Sequence, residues 1–173
     1  MLVRPVVHGD ARGFFLESYR HSVFSNLGVP EQFVQDNHSR SRRGVVRGMH
    51  YQPGMGKLIR CVRGAILDVL VDIRRGSPTF GQWEAFRLDD EQHHILYAPP
   101  GFAHGFCVLS EVADVTYKCT TYYDPEAEGG FNYADPDVGI EWPSGLELIA
   151  SERDSKAPPL REIADALPFE YRP

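Results

Sequence analysis

The sequence has only three cysteines in 173 residues, and no two of them form a Cys-x-x-Cys pair. The odd number and the position of each cysteine in a strand-like run argue against a disulfide framework and against a zinc site. The N-terminus also lacks the apolar segment of a signal peptide. We therefore expect three reduced core thiols in a cytoplasmic protein.

Long apolar runs are missing as well, which excludes a membrane-spanning helix and predicts no membrane partner. Positive charge is scarce overall, and the formal net charge is −6. The positive residues are concentrated in residues 1–75, where twelve Lys and Arg against six Asp and Glu give a net charge of +6. This stretch suits a small anion such as a diphosphate, whereas a nucleic acid needs a broader basic field. Arg40, Arg42 and Arg43 are expected in a solvated loop.

Helical periodicity is rare, and the glycine-rich loops of nucleotide-binding enzymes and the Gly-x-Ser-x-Gly elbow are absent. Short segments rich in Val, Ile, Leu and Phe alternate with turn signals such as Pro53-Gly54. This pattern predicts an all-β sandwich or barrel in a single domain spanning residues 1–173. A short helix is expected at 22–27, and a C-terminal helical segment at about 158–168.

The clearest predicted strand covers residues 65–73. Its alternation places Leu67, Val69, Val71 and Ile73 on one face and two aspartates, Asp68 and Asp72, on the other. We expect both aspartates to accept structural hydrogen bonds.

A histidine with two nearby cations is the main chemical signal. His50 follows Arg47 by three residues, and Lys57 comes soon after. An unperturbed histidine titrates at about 6.5, which suits proton abstraction at neutral pH, and a cation can stabilise an enolate oxygen. Taken alone, the motif fits a hydrogen-bonded core histidine better than a catalytic base. A carboxylate partner would hold one tautomer, and the candidates are Asp36, Asp68, Asp72 and Asp154.

His104 lies in a Pro-x-Gly-x-x-His pattern, Pro99 to His104, that resembles the second motif of the cupin superfamily. In metal cupins that histidine is a ligand, but the first motif needs two histidines, and His50 stands alone. We therefore expect no metal. His93 and His94 are expected in solvent beside an acidic turn. Tyr117, on a predicted strand, is either a proton donor or a packing residue.

A set of motifs in one order resembles the dTDP-4-dehydrorhamnose 3,5-epimerase family along nearly the whole chain. The N-terminal segment before these motifs is shorter than is usual in the family. The matching stretches are Asp10-Ala11-Arg12-Gly13-Phe14-Phe15-Leu16-Glu17, Gln35-Asp36-Asn37-His38-Ser39, Arg47-Gly48-Met49-His50-Tyr51-Gln52, Gly56-Lys57, Gly76-Ser77-Pro78-Thr79-Phe80-Gly81, Pro100-Gly101-Phe102-Ala103-His104-Gly105-Phe106 and Tyr117-Lys118.

The resemblance implies a cupin-like jelly roll (a double-stranded β-helix), a homodimer, and neither metal nor cofactor. It implies epimerisation of a dTDP-4-keto-6-deoxy sugar at the carbons beside the ketone. His50 matches the base, Asp154 its partner, Tyr117 the proton donor and Lys57 the cation at the ketone oxygen. Positions matching substrate-binding residues are Arg12, Phe14, Glu17, Gln35, Asp36, Asn37, Arg47, His104 and Glu128.

Two alternatives stay open at this point. One is an epimerase acting on a single carbon in a specialised deoxysugar pathway, because such enzymes share the same base and tyrosine. The other is a metal-binding or sugar-binding cupin without epimerase activity.

Overall fold

The computed structural model describes residues 1–29 and 32–172. Most of the regular structure is β. The strands, in chain order, are β1 Leu2–Val3, β2 Val7–Asp10, β3 Gly13–Leu16, β4 Gln35–Arg42, β5 Val46–Tyr51, β6 Lys57–Arg63, β7 Ala65–Asp72, β8 Trp83–Asp89, β9 Ile95–Ala98, β10 Phe102–Val108, β11 Val112–Cys119 and β12 Gly129–Gly130. The short helices are α1 His21–Asn26, α2 Glu152–Ser155 and α3 Leu160–Ile163, and a 3-10 turn follows at Ala164–Ala166.

The strands form two five-stranded antiparallel sheets and a separate hairpin. The first sheet has the order β1-β9-β6-β11-β4, and the second has the order β12-β5-β10-β7-β8. Within the part of the chain that the structure describes, β2 and β3 pair with each other and with no other strand. Apart from β7 and β8, which are consecutive, the paired strands of the two sheets are distant in sequence, as a jelly roll requires, so the predicted all-β, cupin-like fold is confirmed.

The core follows the period of two in the strands. Ile66 and Leu70 of β7 point between the sheets and pack with residues such as Ile59 of β6. The opposite face of β7 carries Val69 and Val71, which are fully buried because chain segments after residue 130 cover them. Both faces of the second sheet are therefore packed, which makes this sheet a firm support for side chains that point between the sheets.

The aspartates of β7 share the face that carries Ile66 and Leu70, as predicted, and this face points between the sheets. Asp72 accepts hydrogen bonds from the side chains of Arg74, Ser77 and Thr79 and is 2% exposed. Burial alone would raise the pKa of this carboxyl group, but these donors outweigh that effect and hold the pKa well below its ordinary value. Asp72 thus stabilises the turn that follows β7.

Two expectations from the sequence were wrong. His93 is buried, because hydrogen bonds from Glu91 and Gln92 to the Asp89 carboxylate tighten the turn and direct the ring inward. The ring lies 4.4 Å from that of Phe14. Arg40 belongs to β4 rather than to a loop, and its guanidinium forms two hydrogen bonds of 2.7 Å with the buried carboxylate of Asp114.

Helices in the described ranges, 1–29 and 32–172, are all short. None of them has the length and apolar character needed to cross a membrane.

Candidate active site

A cavity of about 570 Å³ lies between the two sheets. Both sheets, the loop after β11 and the segment leading into α2 contribute to its wall. The lining residues are Gln35, Asn37, Ser39, Val45, Val46, Arg47, His50, Met55, Lys57, His104, Phe106, Tyr117, Cys119, Tyr123, Glu128, Ile149, Ala150, Ser151, Arg153 and Asp154. The size suits a ligand larger than a single sugar ring, and the mixture of apolar and ionisable side chains is typical of an enzyme pocket.

A bulge in β5 brings Arg47 and His50 to the same cavity. In a regular strand, residues three apart point to opposite faces. Here His50 pairs with His104 while Arg47 pairs with Phe106, so β5 has one more residue than β10 over this interval. A bulge of this kind redirects side chains.

Two glycines allow the strands to approach at the bulge. A side chain on Gly48 would meet Gly105 Cα at 2.5 Å, and one on Gly105 would meet Met49 Sδ at 2.6 Å. The close contact between these backbones therefore requires both glycines.

His50 is held by Asp154 from the start of α2. His50 Nε2 lies 2.7 Å from Asp154 Oδ1, and the backbone N–H of Gly48 donates to Asp154 Oδ2. Burial alone would raise the pKa of Asp154, but the hydrogen bond and charge of His50 outweigh it and lower the pKa below its ordinary value. Of the four aspartates left open by the sequence, Asp154 is the partner. His50 Nδ1 has no hydrogen-bond partner among the described residues, so it is free for chemistry.

Lys57 supplies a cation at the first residue of β6. Its ammonium has no hydrogen bond or ion pair within residues 1–29 and 32–172, and it lies 5.8 Å from the centre of the Tyr117 ring. Burial lowers the pKa of Lys57, and the nearby acidic groups of Glu128 and Asp68 offset this only in part. The arrangement leaves a partly desolvated donor available to a ligand.

Tyr117 lies on the wall opposite His50. It belongs to β11 of the first sheet, whereas His50 belongs to β5 of the second sheet. Burial, with the nearby carboxylate of Glu128, raises the pKa of the phenol, so the hydroxyl stays protonated at neutral pH. His50 and Tyr117 therefore line the same cavity from different sheets.

His104 is fixed by a second buried carboxylate. His104 Nε2 lies 2.9 Å from Asp68 Oδ2, and Asp68 is completely buried. The structural role expected for Asp68 is thus to orient a residue of the cavity wall. Burial raises the pKa of Asp68, while His104 and Lys57 act in the opposite direction.

Sequence reasoning missed Tyr123 and Arg153 at the cavity mouth. The Tyr123 hydroxyl donates to Glu128 Oε2 at 3.1 Å, and Arg153 Nη1 lies 2.6 Å from the same oxygen. The position of Arg153 directly before Asp154 was the one sequence feature that could have indicated it as a cavity residue. Gln35 and Asn37, both expected in the site, also line the cavity and are joined by a hydrogen bond of 3.0 Å.

Four of the expected binding residues lie outside this cavity. Arg12 and Phe14 are on the exposed β2–β3 hairpin, and Glu17, just after it, pairs with Arg20. Asp36 points to the other face of β4, where its carboxylate accepts a 2.9 Å hydrogen bond from Lys118. A single chain therefore does not bring these side chains to the other expected residues.

The described ranges contain no group of three or more His, Cys, Asp or Glu side chains arranged to hold a metal ion. His50 and His104 are cross-strand neighbours, but each is engaged by its own aspartate.

Residues 1–162 match the family model described as dTDP-4-dehydrorhamnose 3,5-epimerase. A curated relative of that name from Salmonella typhimurium is 49% identical over 162 residues, which are 91% of this chain and 88% of the relative.

Solved structures give the same result. A dTDP-6-deoxy-D-glucose-3,5-epimerase from Legionella pneumophila, in complex with dTDP-4-keto-L-rhamnose, has a TM-score of 0.96 and 46% identity, covering 99% of this chain and 93% of that one. A 3'-monoepimerase from Streptomyces bikiniensis, in complex with dTDP-quinovose, has a TM-score of 0.90 and 39% identity, with 95% and 85% covered.

Proposed function

The chain belongs to the dTDP-4-dehydrorhamnose 3,5-epimerase family, and from this we propose that it epimerises a dTDP-4-keto-6-deoxy sugar at the carbons flanking the ketone. The observation that carries the proposal is the His50–Asp154 pair, joined at 2.7 Å, on the wall opposite Tyr117. Inversion at carbon needs a base on one side of the sugar and a proton donor on the other.

The proposed reaction proceeds through an enolate. The 4-keto group acidifies the hydrogens on both neighbouring carbons. His50 Nδ1 takes one of these protons, because Nε2 is engaged by Asp154. The Lys57 ammonium donates a hydrogen bond to the developing oxyanion, and Tyr117 delivers a proton to the opposite face of the carbon. Two such cycles invert both carbons.

The cavity mouth is the proposed site of the nucleotide diphosphate. Arg47 and Arg153 both line the cavity, and guanidinium groups bind phosphate oxygens through paired donors. The positive net charge of residues 1–75 supports the same placement. Arg12, Phe14 and Glu17 are proposed to reach a substrate only as part of an assembly of two chains.

Proton NMR in deuterated water tests the proposed function. With dTDP-4-keto-6-deoxyglucose as substrate, we expect loss of the proton signals from both carbons that flank the ketone and formation of the inverted sugar. A protein that leaves both signals unchanged under these conditions is not an epimerase of this substrate. Metal analysis of the purified protein runs in parallel, and one tightly bound ion per chain favours the metal-cupin alternative.

A single-carbon epimerase is the second candidate. The similarity to a 3'-monoepimerase supports it, and the base and the tyrosine serve either reaction equally well. Exchange at one carbon only in the NMR experiment identifies this alternative.

The rate should depend on the charge of Lys57 in alkaline solution. Because burial lowers the pKa of Lys57, the ammonium loses its proton at a lower pH than an exposed lysine, and kcat should fall as that proton is lost. Arginine keeps its charge throughout this range. If Lys57→Arg is active, its alkaline limb should therefore lie at a higher pH than that of the wild type.

The measurement is kcat against pH, with circular dichroism to verify folding at each value. Lys156→Arg is the matched control, because Lys156 is an exposed lysine paired with Glu152. An alkaline limb that is the same in wild type and Lys57→Arg contradicts the assignment of Lys57.

We also propose a homodimer, on the basis of the β2–β3 hairpin and the residue before it. Val6, Phe14 and Phe15 are 71%, 61% and 67% exposed, which is unusual for large apolar side chains that lie close together. A second copy of the chain covers them in this proposal.

The unpaired thiols of all three cysteines support a cytoplasmic location, which fractionation of cells that express a tagged chain tests.

Size-exclusion chromatography with light scattering tests the dimer. The wild type is expected at twice the chain mass of 19.5 kDa, and Phe15→Asp should shift the population toward the single-chain mass because a charge would be buried without a partner. Val23→Asp changes an exposed apolar residue on α1 and serves as the control. A wild-type protein that elutes as one chain at micromolar concentration rejects the dimer.

A further inference from the structure

A buried glutamine next to the proposed base holds the loop at the cavity mouth. Gln52 follows β5 directly, two residues after His50, and is 7% exposed. Its side chain does not line the cavity. It points instead to the segment after β11, about seventy residues later in the chain.

Both the nitrogen and the oxygen of this side-chain amide form hydrogen bonds. Gln52 Nε2 donates to Tyr122 O at 2.9 Å and to Thr121 Oγ1 at 3.3 Å, and Gln52 Oε1 accepts from the Asp124 N–H at 3.0 Å. An amide in this position fixes both a carbonyl and an N–H of the loop. A residue with only one type of polar atom cannot replace it fully.

The fixed segment carries cavity residues. The backbone carbonyl oxygen of Asp124 accepts a hydrogen bond of 3.0 Å from the backbone N–H of Glu128. The position of Asp124 therefore sets the turn that ends at Glu128. Tyr123, between the two backbone groups bound by Gln52, lines the mouth with Glu128.

The other end of the segment returns to the same strand. Gly129 pairs with Tyr51, and Gly130 pairs with His50. The segment from Thr121 to Gly130 is therefore attached to β5 at both ends, by a side chain at one end and by backbone pairing at the other.

We propose that Gln52 is a positioning residue, which holds Tyr123 and Glu128 at a fixed distance from the base on β5 and thereby sets the affinity for substrate. The inference rests on the proposed function. Tyr122 and Tyr123 are 72% and 48% exposed, so water can solvate the released backbone when the amide is lost. Loss of Gln52 should therefore displace the loop without unfolding the sheets.

The test uses Gln52→Met, which keeps the length and volume of the side chain but removes all three hydrogen bonds. We expect KM for the dTDP-sugar to rise about tenfold or more while kcat changes less than threefold, since His50, Lys57 and Tyr117 stay in place. Gln52→Glu keeps the acceptor for Asp124 but loses the donor to Tyr122, so its KM should lie between those of Gln52→Met and the wild type. Gln82→Met, at an exposed glutamine before β8, is the matched control.

Two further measurements separate positioning from general stability. Cleavage by chymotrypsin after Tyr122 and Tyr123 should be faster in Gln52→Met, while Tm stays within a few degrees of the wild-type value. An unchanged KM, a loss confined to kcat, or a large fall in Tm in both Gln52 variants overturns the inference. If the wild type does not act on the substrate, the proposed function fails, and the proteolysis comparison still decides whether Gln52 holds the loop.

Discussion

Replacing His50 with alanine should reduce the rate of epimerisation about 10²–10⁴-fold, the usual contribution of a general base. His104, the other histidine that lines the cavity, is less accessible to a substrate, because only 8% of its side chain is exposed, against 25% for His50. Deuterium incorporation at both carbons that flank the ketone should be lost together with inversion, since both need the same proton abstraction. Binding of dTDP, measured by calorimetry, should stay within a few-fold of the wild-type value.

A second variant protects this result from a folding artefact. Alanine at position 50 leaves the buried Asp154 carboxylate without its main partner, which costs stability. His50→Gln keeps an N–H donor for Asp154 but cannot act as a base, and it should be as inactive as His50→Ala. His21→Ala removes an exposed histidine of α1 and should be fully active. Wild-type exchange rates in both His50 variants are incompatible with His50 as the base.

The sequence predicts the strands and the central chemistry because both have local signals. The alternation in residues 65–73 matches β7, with its aspartates facing between the sheets. The motif around His50 indicates a base. The sequence around His50 could not identify the carboxylate that binds its ring, because Asp154 is 104 positions away in the chain.

Other features of the site depend on pairing between distant strands. Arg47 and His50 share the cavity only through the bulge of β5 opposite β10, and a regular strand would separate them. Arg153 and Tyr123 meet at Glu128 because the chain returns to β5 after the loop. The burial of His93 depends on a turn around Asp89 that composition alone presents as an acidic, exposed stretch.

Replacing Tyr117 with phenylalanine should separate proton abstraction from inversion. The ring keeps its place beside Lys57, and only the hydroxyl is lost, so the fold and the cation are preserved. His50 can still form the enolate, but no donor remains on the opposite wall, and reprotonation returns to the original face. We expect inversion to fall about 10²-fold or more, while deuterium still enters the substrate with retained configuration.

Proton NMR of the substrate and product pools in deuterated water measures both processes in one sample. Tyr133→Phe is the matched control, because Tyr133 packs against Trp142 outside the cavity. Equal loss of exchange and inversion in Tyr117→Phe assigns the tyrosine to enolate formation rather than to proton delivery. Full inversion in this variant means that the proton comes from another group, and the two-wall arrangement of base and donor then has to be abandoned.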